Sequence, residues 1–192
     1  PVNLKPLSQD NPFMGHTYRS THILIAGLPC VAVPKELFDD GQAEALYYGC
    51  MPKKDYRTVL CHPLPQDAPV LLYAPDRMLC QLLSERFPDA DIRAAAVPVM
   101  EYLLTRSRIG TSRKMYVHCH ERQMDVYAYE PGRFLLNNSF RCTQGNDLLY
   151  YALYIWQQLG FDQKKDELYL IGKHIPDRDS TLKELQRFVA QV

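Results

Sequence analysis

The sequence predicts an α/β protein with mixed sheets, and three observations predict it. The stretch from Met115 to Gly172 reads as three consecutive antiparallel strands, an almost wholly apolar helix and a fourth strand. The preceding half follows the same plan of antiparallel strands, helix, strand and helix, without any repeat of sequence. Strands that alternate with helices, with hairpins mixed in, are the pattern of an α/β architecture. Between the halves, Thr105–Lys114 gathers Arg106, Arg108, Arg113 and Lys114 around Gly110. A polar run of this kind links compact units. The expected division is a first subdomain over residues 1–107 and a second over 115–192.

In chain order, Pro1 to Thr17 is rich in Pro, Asn, Ser and Gln and reads as an extended arm. No methionine precedes Pro1, so the chain reads as a fragment or processed form. Ser20–Ala26 and Pro29–Val33 read as a hairpin around Gly27-Leu28. Pro34 opens a helical turn through Glu36, Leu37 and Phe38, and Ala43–Tyr48 reads as a second short helix. Tyr56–His62 and Val70–Ala74 read as strands joined by a Pro-rich connection, Pro63 to Pro69. Pro75 fits the first position of the next helix, where its missing N–H costs nothing. That helix runs to about Phe87 and carries a stripe of Met78, Leu79, Leu82, Leu83 and Phe87. Ile92–Val97 is a strand of small residues, and Pro98 starts a helix with Val99, Met100, Leu103 and Leu104.

In the second half the strands are Met115–His120, Met124–Tyr129 and Arg133–Arg141, with Pro131-Gly132 turning the last two. The helix Asp147–Leu159 has Asp147 or Asn146 to cap its first turn and Gly160 to end it. Leu148, Ala152, Ile155, Trp156 and Leu159 share one face, expected against the second sheet. Leu149, Tyr150, Leu153 and Tyr154 make much of the rest apolar or aromatic, so the helix is expected to be covered on more than one side. Tyr150 and Tyr154 are expected at the subdomain interface or a partner surface. Glu167–Ile171 is the last strand. After the polar loop Lys173–Asp179, Thr181 and Glu184 form a capping box for a final helix carrying Leu182, Leu185, Phe188, Val189 and Val192.

Composition excludes several functions. Of 192 residues, 46% are hydrophobic, and 22 Lys plus Arg balance 22 Asp plus Glu. A net charge of zero argues against a general nucleic-acid or membrane-surface binder. No apolar run approaches the roughly 20 residues that span a bilayer. No nucleic-acid partner and no direct membrane insertion are expected. The six cysteines form no C-x-x-C pair and fall mostly in expected strands and helices. They read as free thiols of a reducing cytoplasm. Cys119 is flanked by His118 and His120, but side chains one apart on a strand point to opposite faces. A nucleophilic cysteine needs its base within reach, so Cys119 is not expected to be one.

Several strings carry a resemblance. Within Ala68–Leu104, PVLLYAPDRMLCQLLSERFPDADIRAAAVPVMEYL gives a strand ending in Ala-Pro, a helix, a small-residue strand and a Pro-initiated helix. This resembles the first domain of actin-like ATPases of the PilM type, and Met115–Gly172 resembles their second, ribonuclease-H-like domain. More closely, VPKELFDD near Val33, LLNNSF at Leu135 and NDLLYYAL at Asn146 resemble a bacterial family, domain of unknown function 3822. The resemblance covers about Ile23 to the C-terminus. It implies an actin-like ATPase fold of two ribonuclease-H-like subdomains, with the first expected to be incomplete because full members have further N-terminal strands, and says little about activity.

Actin-like ATPases hold nucleotide with glycine-rich hairpins whose backbone N–H groups approach the phosphates. The second such hairpin usually reads D-x-G-x-G-T-T-D. With its last aspartate on Asp125, His118 stands at the first aspartate, His120 and Arg122 at the glycines, and Gln123 and Met124 at the threonines. Side chains would fill the phosphate space, and the carboxylate that organises Mg²⁺ is missing. Gly172 keeps one glycine of the adenosine pair after the fourth strand, and Lys173 replaces the other. The first phosphate hairpin is not visible. His118, His120, Arg122, Gln123, Asp125, Gly172 and Lys173 are thus read as remnants of nucleotide loops. A two-metal nuclease site needs clustered carboxylates, and Asp125 stands alone. His118 and His120 share a strand face, with Glu121 or His174 as further donors. Without supporting ligand spacing they read as exposed imidazoles on a polar face, and no metal is expected. Asn137 and Asn138, before Ser139-Phe140, could serve a ligand, but read as strand-end residues that satisfy backbone groups. The expected function is a non-catalytic, cytoplasmic scaffold or binding module with no cofactor and an unidentified protein partner. The alternative is an ATP- and Mg²⁺-binding ATPase whose essential residues lie in a missing N-terminal segment.

Overall fold

A computed structural model of the chain describes residues 16, 18–66, 68–173 and 175–192. The arm expected over Pro1 to Thr17 lies outside the described residues apart from His16. The first half contains β1 (His22–Ile25), β2 (Cys30–Val33), α1 (Ala43–Cys50), β3 (Leu60–Pro63), β4 (Val70–Tyr73), α2 (Arg77–Arg86), β5 (Asp91–Ala94) and α3 (Ala96–Ser107). The second contains β6 (Lys114–His120), β7 (Gln123–Glu130), β8 (Arg133–Arg141), α4 (Gly145–Gln158), β9 (Glu167–Ile171) and α5 (Arg178–Leu185).

The hairpin expected around Gly27-Leu28 does not form. β1 pairs in parallel with β5, placing Ile23 opposite Ile92. β2 instead pairs antiparallel with β4, which lies at the centre of a β2-β4-β3 sheet. The reason is burial. Val70–Tyr73 is buried at every position, and such a strand needs neighbours on both edges to satisfy its backbone. Gly27, at φ +68, redirects the chain out of β1, and Pro29 has no N–H for a local ladder.

Helix boundaries also shift. Asp76, not Pro75, caps α2: its Oδ1 accepts from the N–H groups of Met78 at 2.9 Å and Leu79 at 3.1 Å. An aspartate satisfies free helix donors that a proline cannot. The expected α2 stripe is largely open, with Met78 75% exposed and only Leu83 fully buried. α3 begins at Ala96, so Pro98 lies within its first turn, where no N–H is required. α4 begins at Gly145, and Asp147 reaches back to accept from the N–H groups of Thr143 at 2.9 Å and Gln144 at 3.1 Å. Asp177 takes a left-handed conformation before α5, which leaves Thr181 inside the helix, donating its hydroxyl to the Pro176 carbonyl at 2.9 Å. Thr181 is therefore not the cap expected of it. Phe188 lies beyond α5 and is 48% exposed.

The second half holds closely to its expected plan. β6, β7 and β8 are consecutive antiparallel strands, and β9 joins the other edge of β6 in parallel, giving the order β8-β7-β6-β9. A parallel partner requires a crossover, which α4 supplies. Strand alternation divides this sheet into two faces. On one, Met115, Val117, Cys119, Met124, Val126 and Ala128 pack with Leu148, Ala152, Ile155 and Trp156 of α4 and Leu185 of α5. On the other, Tyr116, Tyr127 and Tyr129 pack with Leu71, Tyr73, Val97, Met100 and Leu103 of the first half. The Tyr129 hydroxyl donates to the Met100 carbonyl at 3.3 Å. The sheet is therefore covered on both sides, and its two core layers share no residue.

Trp156 lies against Phe161, ring centroids 4.8 Å apart, and Arg113 lies over the other side of Phe161 at 4.6 Å. Tyr150 and Tyr154 stack on the outer side of α4 and are 64% and 50% exposed. Trp156→Ala is expected to cost about 3–5 kcal/mol, from transfer and cavity terms together. Tyr154→Ala is expected to stay within about 0.5 kcal/mol. Urea unfolding of the two variants checks the ordering; equal losses would mean that α4 does not face the sheet this way.

At the start of the sheet, Glu167 accepts from Ser112 and Tyr169 and faces the buried Lys114 ammonium at 3.5 Å. Burial opposes its ionisation, but those hydrogen bonds and Lys114 outweigh it and hold its carboxyl below the ordinary value of 4.5. A lowered folded value contributes stability above the unfolded value, lost as pH falls through the folded one. The stability difference between the native protein and Glu167→Gln is therefore expected to be level from neutral pH to about 5 and to shrink below about 4.5. Denaturant midpoints across that range are the measurement, and a difference that grows on acidification would contradict the pairing.

Candidate functional site

The alternation that builds the two cores also builds a cleft. Beyond Tyr116 and Tyr127, the same sheet face turns polar at His118, His120 and Asp125. These side chains open into a cavity of about 490 Å³. Its far wall is the loop from Ile25 to Cys30 and the first turn of α3, with Ala95, Ala96 and Val99. Asn138 and Ser139 of β8 close one side. Charged residues in the lining are Glu121 and Asp125; among the described residues no lysine or arginine lines it.

Register sets the geometry. His118 stands opposite Asp125 across β6 and β7, and Asp125 stands opposite Ser139 across β7 and β8. Directly paired residues project from the same face. His120 Nε2 lies 2.8 Å from Asp125 Oδ2, and the His118 and His120 rings are 5.1 Å apart. Ser139 Oγ donates to Asp125 Oδ1 at 2.6 Å, and the Tyr127 hydroxyl donates to Oδ2 at 3.5 Å. The imidazoles are not exposed as expected, since both are half-buried. One ligand atom each from His118, His120 and Asp125 lie within 4.8 Å of one another. Asp125, rather than Glu121 or His174, is the third donor of that group; His174 lies outside the described residues.

Burial controls protonation here. It holds the His118 imidazole below its ordinary value, aided by nearby His120 and opposed by Asp125. It pushes the Cys30 thiol up to about 12, with the Asp125 charge adding to the effect. Tyr127 is raised by burial and then by Asp125. Cys119 points into the opposite core, and burial raises its thiol to about 12. A thiol in that state is a poor nucleophile.

Of the residues singled out from the sequence, the structure brings His118, His120, Gln123 and Asp125 to the cleft. Arg122 is an exposed residue of the tight β6–β7 turn and gives its carbonyl to the Cys142 N–H at 2.8 Å. Gly172 and Lys173 follow β9 and do not line the cavity. Gly172 instead lies against the Cys119 backbone, where a Cβ would strike the Cys119 carbonyl, at φ +124. This close approach and the positive φ both require glycine there. Ser139 and the Ile25–Cys30 wall were not readable as site residues, because their place depends on pairings distant in sequence.

Gly160 also has a positive φ, +62, but open space where a Cβ would go. Gly160→Ala should therefore cost only the backbone term, about 1 kcal/mol. Gly172→Ala adds the collision and should cost distinctly more, upward of about 1–3 kcal/mol. Thermal or urea unfolding of both variants tests the comparison, and equal losses would remove the close approach as the reason for Gly172.

Comparison with known proteins follows from this geometry. A Bacteroides thetaiotaomicron protein, described as having an actin-like ATPase fold and unknown function, superposes with a TM-score of 0.93 at 36% identity, covering 99% of this chain and 74% of that one. A PilM-PilN type IV pilus biogenesis complex superposes over 76% of this chain and 48% of that one, at 15% identity and a TM-score of 0.38. No curated protein sequence matches. No helix among the described residues is long and apolar enough to cross a membrane. The fold is that of the actin-like ATPases. The model of the family described as protein of unknown function (DUF3822) matches residues 1–192, and the chain belongs to that family.

Proposed function

We propose that the chain is a non-catalytic, actin-like binding module whose cleft takes no ATP and which serves a protein partner. The observation that carries this reading is the lining of the cleft. His120 stands at a glycine position of the phosphate-binding hairpin, His118 at its first aspartate and Gln123 at a threonine, all three line the cleft, and the charged lining among the described residues is acidic. Mg-ATP remains an anion, and its phosphates are held by backbone N–H groups, Lys or Arg. A cleft whose described lining has two carboxylates and no lysine or arginine disfavours such a ligand. The exposed Tyr150 and Tyr154 support a protein partner, since aromatic residues anchor protein interfaces. Six free cysteines support action in a reducing cytoplasm.

The test is thermal unfolding of the metal-stripped chain with millimolar Mg-ATP. A ligand at a hundredfold excess over its dissociation constant stabilises the folded state by about 2.7 kcal/mol. No shift beyond that of Mg²⁺ alone is expected. A clear nucleotide-dependent shift would overturn the proposal and favour a nucleotide-binding ATPase.

A further inference from the structure

We propose that His118, His120 and Asp125 form a binding site for a divalent transition-metal ion of the zinc type, at the edge of the cleft. The inference does not rest on the absence of nucleotide. Two imidazole nitrogens and one carboxylate oxygen are the donor set of Zn²⁺ and its neighbours; Mg²⁺ and Ca²⁺ prefer oxygen donors alone.

The geometry needs little change. Tetrahedral zinc with bonds of about 2.0–2.1 Å places its ligand atoms about 3.3 Å apart. His120 Nε2 and Asp125 Oδ2 are already 2.8 Å apart, and all three ligand atoms lie within 4.8 Å of one another. The three residues sit on two adjacent strands in register, so side-chain rotation suffices to close the site around an ion. Ser139 holds Asp125 Oδ1 at 2.6 Å, which orients Oδ2 towards the imidazoles. Such outer hydrogen bonds fix ligating carboxylates in metal sites. Glu121 also lines the cleft and adds negative charge, with no lysine or arginine in the lining among the described residues. Three protein ligands leave a coordination position open to the cavity, the arrangement of zinc sites that bind an exogenous ligand.

The test is a calorimetric titration of the full, metal-stripped chain with ZnCl₂, and a parallel titration with CoCl₂ read by visible absorption. One ion per chain is expected, undisplaced by millimolar Mg²⁺, with a cobalt spectrum showing nitrogen and oxygen ligation. His118→Ala, His120→Ala and Asp125→Asn should each weaken binding by more than tenfold, and His62→Gln should leave it unchanged. Ser139→Ala should weaken it less, within about 10–100-fold. Circular dichroism establishes that each variant is folded; should an alanine variant fail to fold, His118→Gln takes its place. No zinc binding at micromolar concentration would overturn the site. Undiminished binding in the three ligand variants would place the ion elsewhere, and a cobalt–thiolate charge-transfer band would show cysteine ligation; either would overturn the site.

Discussion

The register between β6 and β7 is the constraint on which the rest of the molecule depends. A shift of one residue would exchange the two faces of the sheet. Met115, Val117 and Cys119 would leave the core under α4, and Tyr116, His118 and His120 would enter it. Neither exchange is tolerable, because it would bury imidazoles without partners under α4 and replace the fitted tyrosine layer on the other face with smaller side chains. The tight Glu121-Arg122 turn fixes this register locally, with Glu121 at φ +51. Gly172 fixes it from the other edge, since only a residue without a Cβ can lie against the Cys119 backbone. Core, cleft and candidate ligands are therefore consequences of one pairing.

What was legible in the sequence follows from the range of the interactions involved. β6, β7 and β8 could be read nearly to the residue because they are sequential and joined by short turns. α4 could be read because Leu148, Ala152, Ile155 and Trp156 repeat at helical spacing, and those residues do lie on the sheet. The failure at β1 and β2 has the opposite cause. Their partners, β5 and β4, lie tens of residues away, and the burial of Val70–Tyr73 outweighs a local turn signal. Helix starts were misread by one to three residues, because at Pro75-Asp76 the aspartate side chain takes the free donors and at α4 Asp147 reaches back to the N–H groups of Thr143 and Gln144.

The same distinction governs the site. That His118 and His120 share a face is a period-two fact, visible in the sequence. That Asp125 faces them requires the β6–β7 register, and that Ser139 orients Asp125 requires the β7–β8 register as well. The opposite wall comes from residues 25–30, in a different sheet. Asp125 appeared isolated because its partners are neighbours across strands, not along the chain. Gly172 has a structural reason of its own that the sequence did not show, the close approach of its Cα to the Cys119 backbone.

Fold and chemistry separate at this cleft. An actin-like frame places a hairpin against a cavity whatever the hairpin contains, and function resides in the groups presented there. Bare glycines would present N–H donors to an anion. This hairpin presents imidazoles and a carboxylate instead, the kinds of donor from which sites for transition-metal cations are built. The three groups stand on strands held between two packed cores, not on a loop, so their spacing inherits the rigidity of the sheet. Tyr127 joins the two regimes directly, its ring in the aromatic core and its hydroxyl towards Asp125. The polar end of the sheet is thus positioned by the same aromatic packing that binds the two halves of the chain together.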